Sequence, residues 1–325
     1  MRDYPTLKQI QAVKEKLGSL IVETPAHPWR DPRLSDRIGH NTEVFVKLEL
    51  LQVTGTFKPR GALNVMLNLD KNELRRGVTA VSAGNHAIAT AYASKALGTT
   101  AKVVMPKNAN PLRMRMAQDL GAEIDLVDSP HNAFARVQQI EREEGRTFIH
   151  PFEGVTTATG TGTIGLEIWE QLEDVDTIIV AIGGGGLCAG IASVVKQLKS
   201  DCTIIGVEPE GAASMHRSFE TREAAKLEEI MTIADSLAAP FALPYSFEIC
   251  HRYVDELVMI TDEEIRDAMG LLFREMKIAV EPACAAATAA LVGPLRNRFR
   301  SGKVLLVFCG SNIDGPSFSK LARLT

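Results

Sequence analysis

TIIVAIGGGGLCAGIASVVKQLK, residues 177–199, joins an apolar run to four glycines and then to an amphipathic segment. The run TIIVAI (177–182) has the unbroken apolar character of a strand buried on both faces. The spacing of Leu187–Lys199 predicts a helix. Between them, Gly183, Gly184, Gly185 and Gly186 carry no Cβ, so the backbone can fold closely around an anion and aim N–H groups at it. The helix that follows adds the positive end of its dipole. No Lys-Ser/Thr follows, so this is not a P-loop, and the glycines lack the spacing of GxGxxG. A turn shaped only for tight packing is the plainer alternative. Four consecutive glycines cost much backbone entropy, which favours a phosphate cradle.

Outward from this stretch, strands and helices alternate. Towards the N-terminus, strands are expected at 45–51, 78–83, 100–106 and 123–128. Helices are expected at 58–69, 85–97, 111–120 and 130–144, several stopped by a glycine. Towards the C-terminus the pattern predicts strands at 203–208, 255–260 and 304–310, and helices at 262–276 and 283–291, with Thr261 as an N-cap. Residues 215–250 mix short helices with the loop SLAAPFALP. The rhythm implies an α/β protein with two open, twisted, mostly parallel sheets covered by helices on both faces. We expect two domains without a Pro/Ser-rich linker.

The 325 residues suit two medium-sized cores. Lys and Arg total 36 against 40 acidic residues, a net charge of −4 with no basic block, which excludes the footprint of a nucleic-acid binder. No apolar run approaches the ~20 residues that span a bilayer. The charged N-terminus (1–20) reads as an amphipathic helix with Leu7, Ile10, Val13 and Leu17 on one face, and not as a signal peptide. Cys188, Cys202, Cys250, Cys284 and Cys309 are scattered, which suggests reduced thiols in a cytoplasmic protein and argues against a structural zinc site.

Three further segments carry chemistry. In TGTFKPRGA (54–62), Lys58 sits between Phe57 and Pro59 where a strand gives way to a helix; a partly desolvated lysine there has the lowered pKa that Schiff-base chemistry needs. SAGNH (82–86) is another strand-to-helix turn whose N–H groups could bind a carboxylate, or it is a routine capped turn; local evidence leaves these equal. FCGSNID (308–314) follows the last strand, and ligands in open α/β sheets gather at strand carboxyl ends. A phosphate cradle, a lysine and a carboxylate loop together are what a pyridoxal 5′-phosphate enzyme requires.

These segments resemble the serine/threonine dehydratase family of pyridoxal-phosphate enzymes, with the tryptophan-synthase-β-like fold (fold type II), from about Thr24 to Asp314. TFKPRGA, SAGNHA, GGGGL, VEP (207–209), Glu281-Pro282 and CGSNID match in order and spacing. The resemblance implies Lys58 as the Schiff-base lysine, Phe57 against the pyridine ring, and Asn85 on its 3′-oxygen. It places Gly183, Gly184, Gly185, Gly186 and Leu187 on the phosphate, Glu281 in the cofactor site and Cys309 at the pyridine nitrogen. It places Ser82, Ala83, Gly84, Asn85 and His86 on the substrate carboxylate. A thiol at the nitrogen makes the ring a weaker electron sink than a carboxylate would, favouring expulsion of a β-leaving group. The resemblance also implies a large domain of 1–52 and 150–325, a small domain of 53–149, and a homodimer. With the chain ending at Thr325, no regulatory domain is expected.

The implied reaction dehydrates a small β-hydroxy amino acid to a 2-oxo acid and ammonia. Racemases of this group carry serine where this chain has Ala83, which cannot move a proton, so racemization ranks lower. β-Replacement, and a non-enzymatic nucleotide-binding module, are the other rivals. Ile88, Gly160-Thr-Gly-Thr163 and SLAAPFALPYSF (236–247) depart from the family pattern and leave serine, threonine, 3-hydroxyaspartate and hydroxyectoine-derived amino acids open. Glu208 and the Ala212 carbonyl match a divalent-cation site of several relatives, but the third position is Ser214. Mg²⁺ prefers carboxylate oxygen, so such a site is weakened or completed by water.

Overall fold

Strand β7, Thr177–Ala181, is buried along its whole length, as its unbroken apolar run requires. It lies inside a sheet with β1 (Ala26–Pro28), β2 (Thr42–Lys47), β8 (Thr203–Pro209), β9 (Glu256–Ile260) and β10 (Gly302–Val307), in the order β1-β2-β10-β7-β8-β9. All neighbours are parallel except β1, which pairs antiparallel with β2. A second, all-parallel sheet has the order β5-β4-β3-β6, from β3 (Val78–Val81), β4 (Ala101–Pro106), β5 (Glu123–Val127) and β6 (Thr147–Phe148). Helices connect the strands, giving the expected α/β architecture. The computed structural model describes residues 4–38, 41–128 and 130–324. No helix among them is long and apolar enough to cross a membrane.

The expected strand 45–51 is shifted. β2 runs 42–47 in register with β10, and Glu49–Leu51 is a single 3₁₀ turn. The chain leaves the sheet because Glu49 turns inward to Arg60, whose Nε meets Glu49 Oε2 at 2.8 Å. Arg60 also meets Glu167 at 2.6 Å, and Lys47 meets the same carboxylate at 2.7 Å, all four side chains being buried. β1, β6 and the helix Val155–Gln171 were not anticipated. That helix contains the Gly160-Thr-Gly-Thr163 departure; a Cβ at Gly160 would lie 2.4 Å from the Arg60 carbonyl, so the glycine lets it press against the helix Lys58–Leu67. The N-terminal helix is Leu7–Leu17, with residues 1–3 of the expected stretch outside the described residues. Ile10 packs with Leu166 and Val194, and Leu17 with the core beneath the four-stranded sheet. Helix Asp262–Met276 starts at Thr261, which forms a capping box with Glu264. In the stretch 215–250, which the sequence reads as short helices and a loop, helices Ser214–Thr221 and Pro244–Tyr253 flank a 3₁₀ turn at Asp235–Leu237.

Candidate active site

Lys58 opens the helix Lys58–Leu67, and its loop is stitched to the segment after β10. Phe57 N donates to the Cys309 carbonyl at 3.2 Å and Ser311 N to the Gly55 carbonyl at 3.0 Å. The Lys58 amine donates to the Pro151 carbonyl at 2.8 Å and lies 5.0 Å from the centre of the Phe57 ring. Burial lowers its pKa to about 8, with Cys309 and Glu281 pulling the other way. Lys58 lines several cavities, of which two hold the other segments. The smaller, about 40 Å³, is lined by Phe57, Lys58, Asn85, Gly183–Leu187, Glu281 and Cys309. The larger, about 360 Å³, is lined by Lys58, Ser82–His86, Arg113, Phe134, Phe152 and Asp235 among others. The structure thus brings together the lysine, the glycine turn, the turn 82–86 and the post-β10 segment.

In the glycine turn, Gly185 has φ +92° and precedes helix Gly186–Leu198. A Cβ at Gly184 would lie 2.3 Å from the Phe152 ring, and one at Gly186 2.5 Å from the Phe152 carbonyl. Tight packing therefore demands glycine here too, and the two readings of the run coexist. Among the described residues, the N–H groups of Gly183, Gly184 and Gly185 have no acceptor. Unsatisfied N–H groups at a helix start are an anion site.

The turn after β3 is held by side chains instead. Ser82 Oγ accepts from Gly84 N at 3.0 Å. Asn85 Nδ2 donates to both oxygens of Glu281 at 2.7 and 3.0 Å, and its Oδ1 accepts from Asn312 at 2.9 Å. His86 Nε2 donates to the Ile149 carbonyl at 2.8 Å, and burial lowers its pKa to about 3, so the ring is neutral. The N–H groups of Ala83, Asn85 and His86 stay free for a ligand among the described residues, whereas that of Gly84 is engaged.

Sequence reasoning missed Arg113, Asp235 and Asn312. Arg113 donates to Asp235 at 2.5 Å, Glu281 at 3.2 Å and the Asn312 carbonyl at 2.8 Å. Asn312 lies within the CGSNID segment but has no role assigned there, and no local motif marks Arg113 or Asp235, whose partners lie far away in the chain. Burial raises the Glu281 pKa, and Arg113 opposes it. The Cys284 thiol and burial push Cys309 well above its usual range, leaving a neutral thiol in the cleft. Away from the cleft, Glu208 accepts from Met215 N, His216 N and His216 Nδ1, each at 2.8 Å, capping helix Ser214–Thr221. Ala212 is buried in the preceding 3₁₀ turn, and Ser214 Oγ has no partner among the described residues. Among the described residues, no three or more His, Cys, Asp and Glu side chains are placed to share a metal ion.

A family model described as pyridoxal-phosphate dependent enzyme matches residues 19–310. The chain belongs to this family. Phenylserine dehydratase of Ralstonia pickettii is 48% identical over 316 residues, 97% of this chain and 96% of that one. The catabolic L-threonine dehydratase of Escherichia coli K12 is 39% identical over 326 residues, 99% and 97% of the two chains. The solved structure of maize serine racemase superposes with a TM-score of 0.91 at 30% identity, covering 98% of this chain and 97% of that one. The family's cofactor fits the residues present: the unsatisfied N–H groups suit its phosphate, and the desolvated Lys58 amine suits its aldehyde.

Proposed function

We propose that this member of the family dehydrates a β-hydroxy amino acid, releasing a 2-oxo acid and ammonia. The observation that carries the reading is a desolvated lysine shared by an anion cradle and a second cavity lined by the Ser82–His86 turn. Pyridoxal phosphate, when bound, supplies an electron sink conjugated to the substrate Cα. The free N–H groups after β3 hold the substrate carboxylate. Lys58 would take the Cα proton, a proton returned by Lys58 or solvent would let the β-hydroxyl leave as water, and a second water would hydrolyse the released enamine to the 2-oxo acid and ammonia. Residues 183–187 would hold the phosphate, Phe57 and Asn85 would position the ring, and Cys309 would face its nitrogen as an uncharged thiol, with Glu281 fixing Asn85.

Ala83 decides against racemization, because that reaction needs a second proton carrier on the opposite side and a methyl group cannot serve. The Lys58→Ala variant is expected to lose both the visible cofactor band and ammonia release. Full activity in that variant would refute the scheme. We also infer a homodimer in the cytoplasm, with 53–149 as a small unit bearing the carboxylate loop and 1–52 with 150–325 as the large unit.

A further inference from the structure

The cavity beyond Lys58 has an aromatic wall that the chemistry at the lysine does not require. We propose that this wall selects substrates whose β-carbon carries an aryl group. The inference rests on the dehydratase reading and names its substrate class.

Phe134 lines the cavity from helix Pro130–Glu144, together with Phe152, Ala133, Ala239 and Pro240. Its ring lies 5.3 Å from that of Phe241 and 6.4 Å from Phe148 and His150; Phe152 in turn lies 4.7 Å from His150. These separations fall in the range where edge and tilted ring contacts are favourable. The wall is thus braced from three parts of the chain and offers a ring face or edge to a ligand. An apolar cavity of about 150 Å³ admits a benzene ring. At about 360 Å³ this one, part of which the cofactor would fill, is more than twice that size. A methyl substituent would leave most of the apolar lining against water.

Charge points the same way. Apart from Lys58, the cationic lining side chain among the described residues is Arg113, already bonded to Asp235, Glu281 and the Asn312 carbonyl. His86 gives its Nε2 hydrogen to Ile149. No unengaged cation awaits a second carboxylate, which sets 3-hydroxyaspartate aside.

Calorimetric titration of the holoenzyme with L-phenylalanine and L-alanine, which lack a β-leaving group, tests the wall apart from catalysis. L-Phenylalanine is expected to bind about tenfold or more tighter, from burial of its ring. Phe134→Ala is expected to cut that ratio below about threefold, and Ala239→Leu, which fills the space without opening a hole, to do the same. In keto-acid assays of the unaltered enzyme, phenylserine should exceed serine in kcat/KM by about tenfold or more. Equal binding of the two ligands overturns the aryl pocket even if threonine is dehydrated. Tighter L-phenylalanine binding with no keto acid from any β-hydroxy amino acid removes the dehydratase reading and leaves the pocket standing.

Discussion

The turn after β3 and the turn after β7 hold the same place, a strand end leading into a helix, in different sheets, and they are built in opposite ways. After β7 the side chains are deleted: Leu237, Phe152 and Met215 pack where they would stand, and the N–H groups of Gly183, Gly184 and Gly185 are left without an acceptor among the described residues. After β3 the side chains are kept and tied down: Asn85 to Glu281 and Asn312, His86 to Ile149, Ser82 to Gly84. A phosphate is a large, fully charged group that many N–H donors can share, so a side-chain-free nest serves it. A carboxylate beside a reacting carbon needs orientation, which fixed side chains supply. A third turn, at Thr261, shows what such a junction looks like with a capping box alone.

Breaking the first turn should cost most. In Gly186→Ala the new methyl meets the Phe152 carbonyl, so the backbone of the cradle must shift. Losing two charge-assisted bonds of about 2 kcal/mol each would weaken cofactor binding about 1,000-fold, measurable by titrating the apoprotein. Breaking the second turn should spare most cofactor affinity but spoil alignment. Asn85→Ala is expected to lower kcat/KM on the order of 100-fold, with a smaller loss of Tm from the under-bonded Glu281.

The lysine that serves both turns offers a pH test. In the role proposed for it, its amine must be neutral to join the cofactor's aldehyde, and a pKa of about 8 means the neutral form grows as pH rises through that value. Cofactor loading of the apoprotein should accelerate about tenfold from pH 7 to 9 and then level off, whereas an ordinary lysine would keep gaining beyond pH 10. The smallest effect belongs to the third turn. Thr261→Ala should cost about 1 kcal/mol in a denaturant titration and leave kcat unchanged.

The contrast also explains what was legible in the sequence. The glycine turn is legible because deletion of side chains leaves a local mark, four glycines between a strand and a helix. The β3 turn was balanced between ligand site and plain cap, because its tethers, Glu281, Asn312 and Ile149, lie elsewhere in the chain. Arg113 was invisible for the same reason: helix Pro111–Asp119 was anticipated, but nothing local says its arginine reaches Asp235. The alternation of strands and helices survived, apart from β1 and β6, at three and two residues too short to show a period. Helix Val155–Gln171 was hidden by glycines that lower helix propensity and are kept for close packing.

The buried cluster of Lys47, Glu49, Arg60 and Glu167 reaches, through Arg60, to within two residues of Lys58 along the chain. Removing one member strands its partners without solvent, at about 3–5 kcal/mol, whereas replacing a whole set by well-packed apolar residues can be neutral or better. Scanning these positions singly would therefore make each look indispensable. Only variants changed jointly would separate what the reaction demands there from what the interior demands, and those joint variants are the starting point for hardening this scaffold.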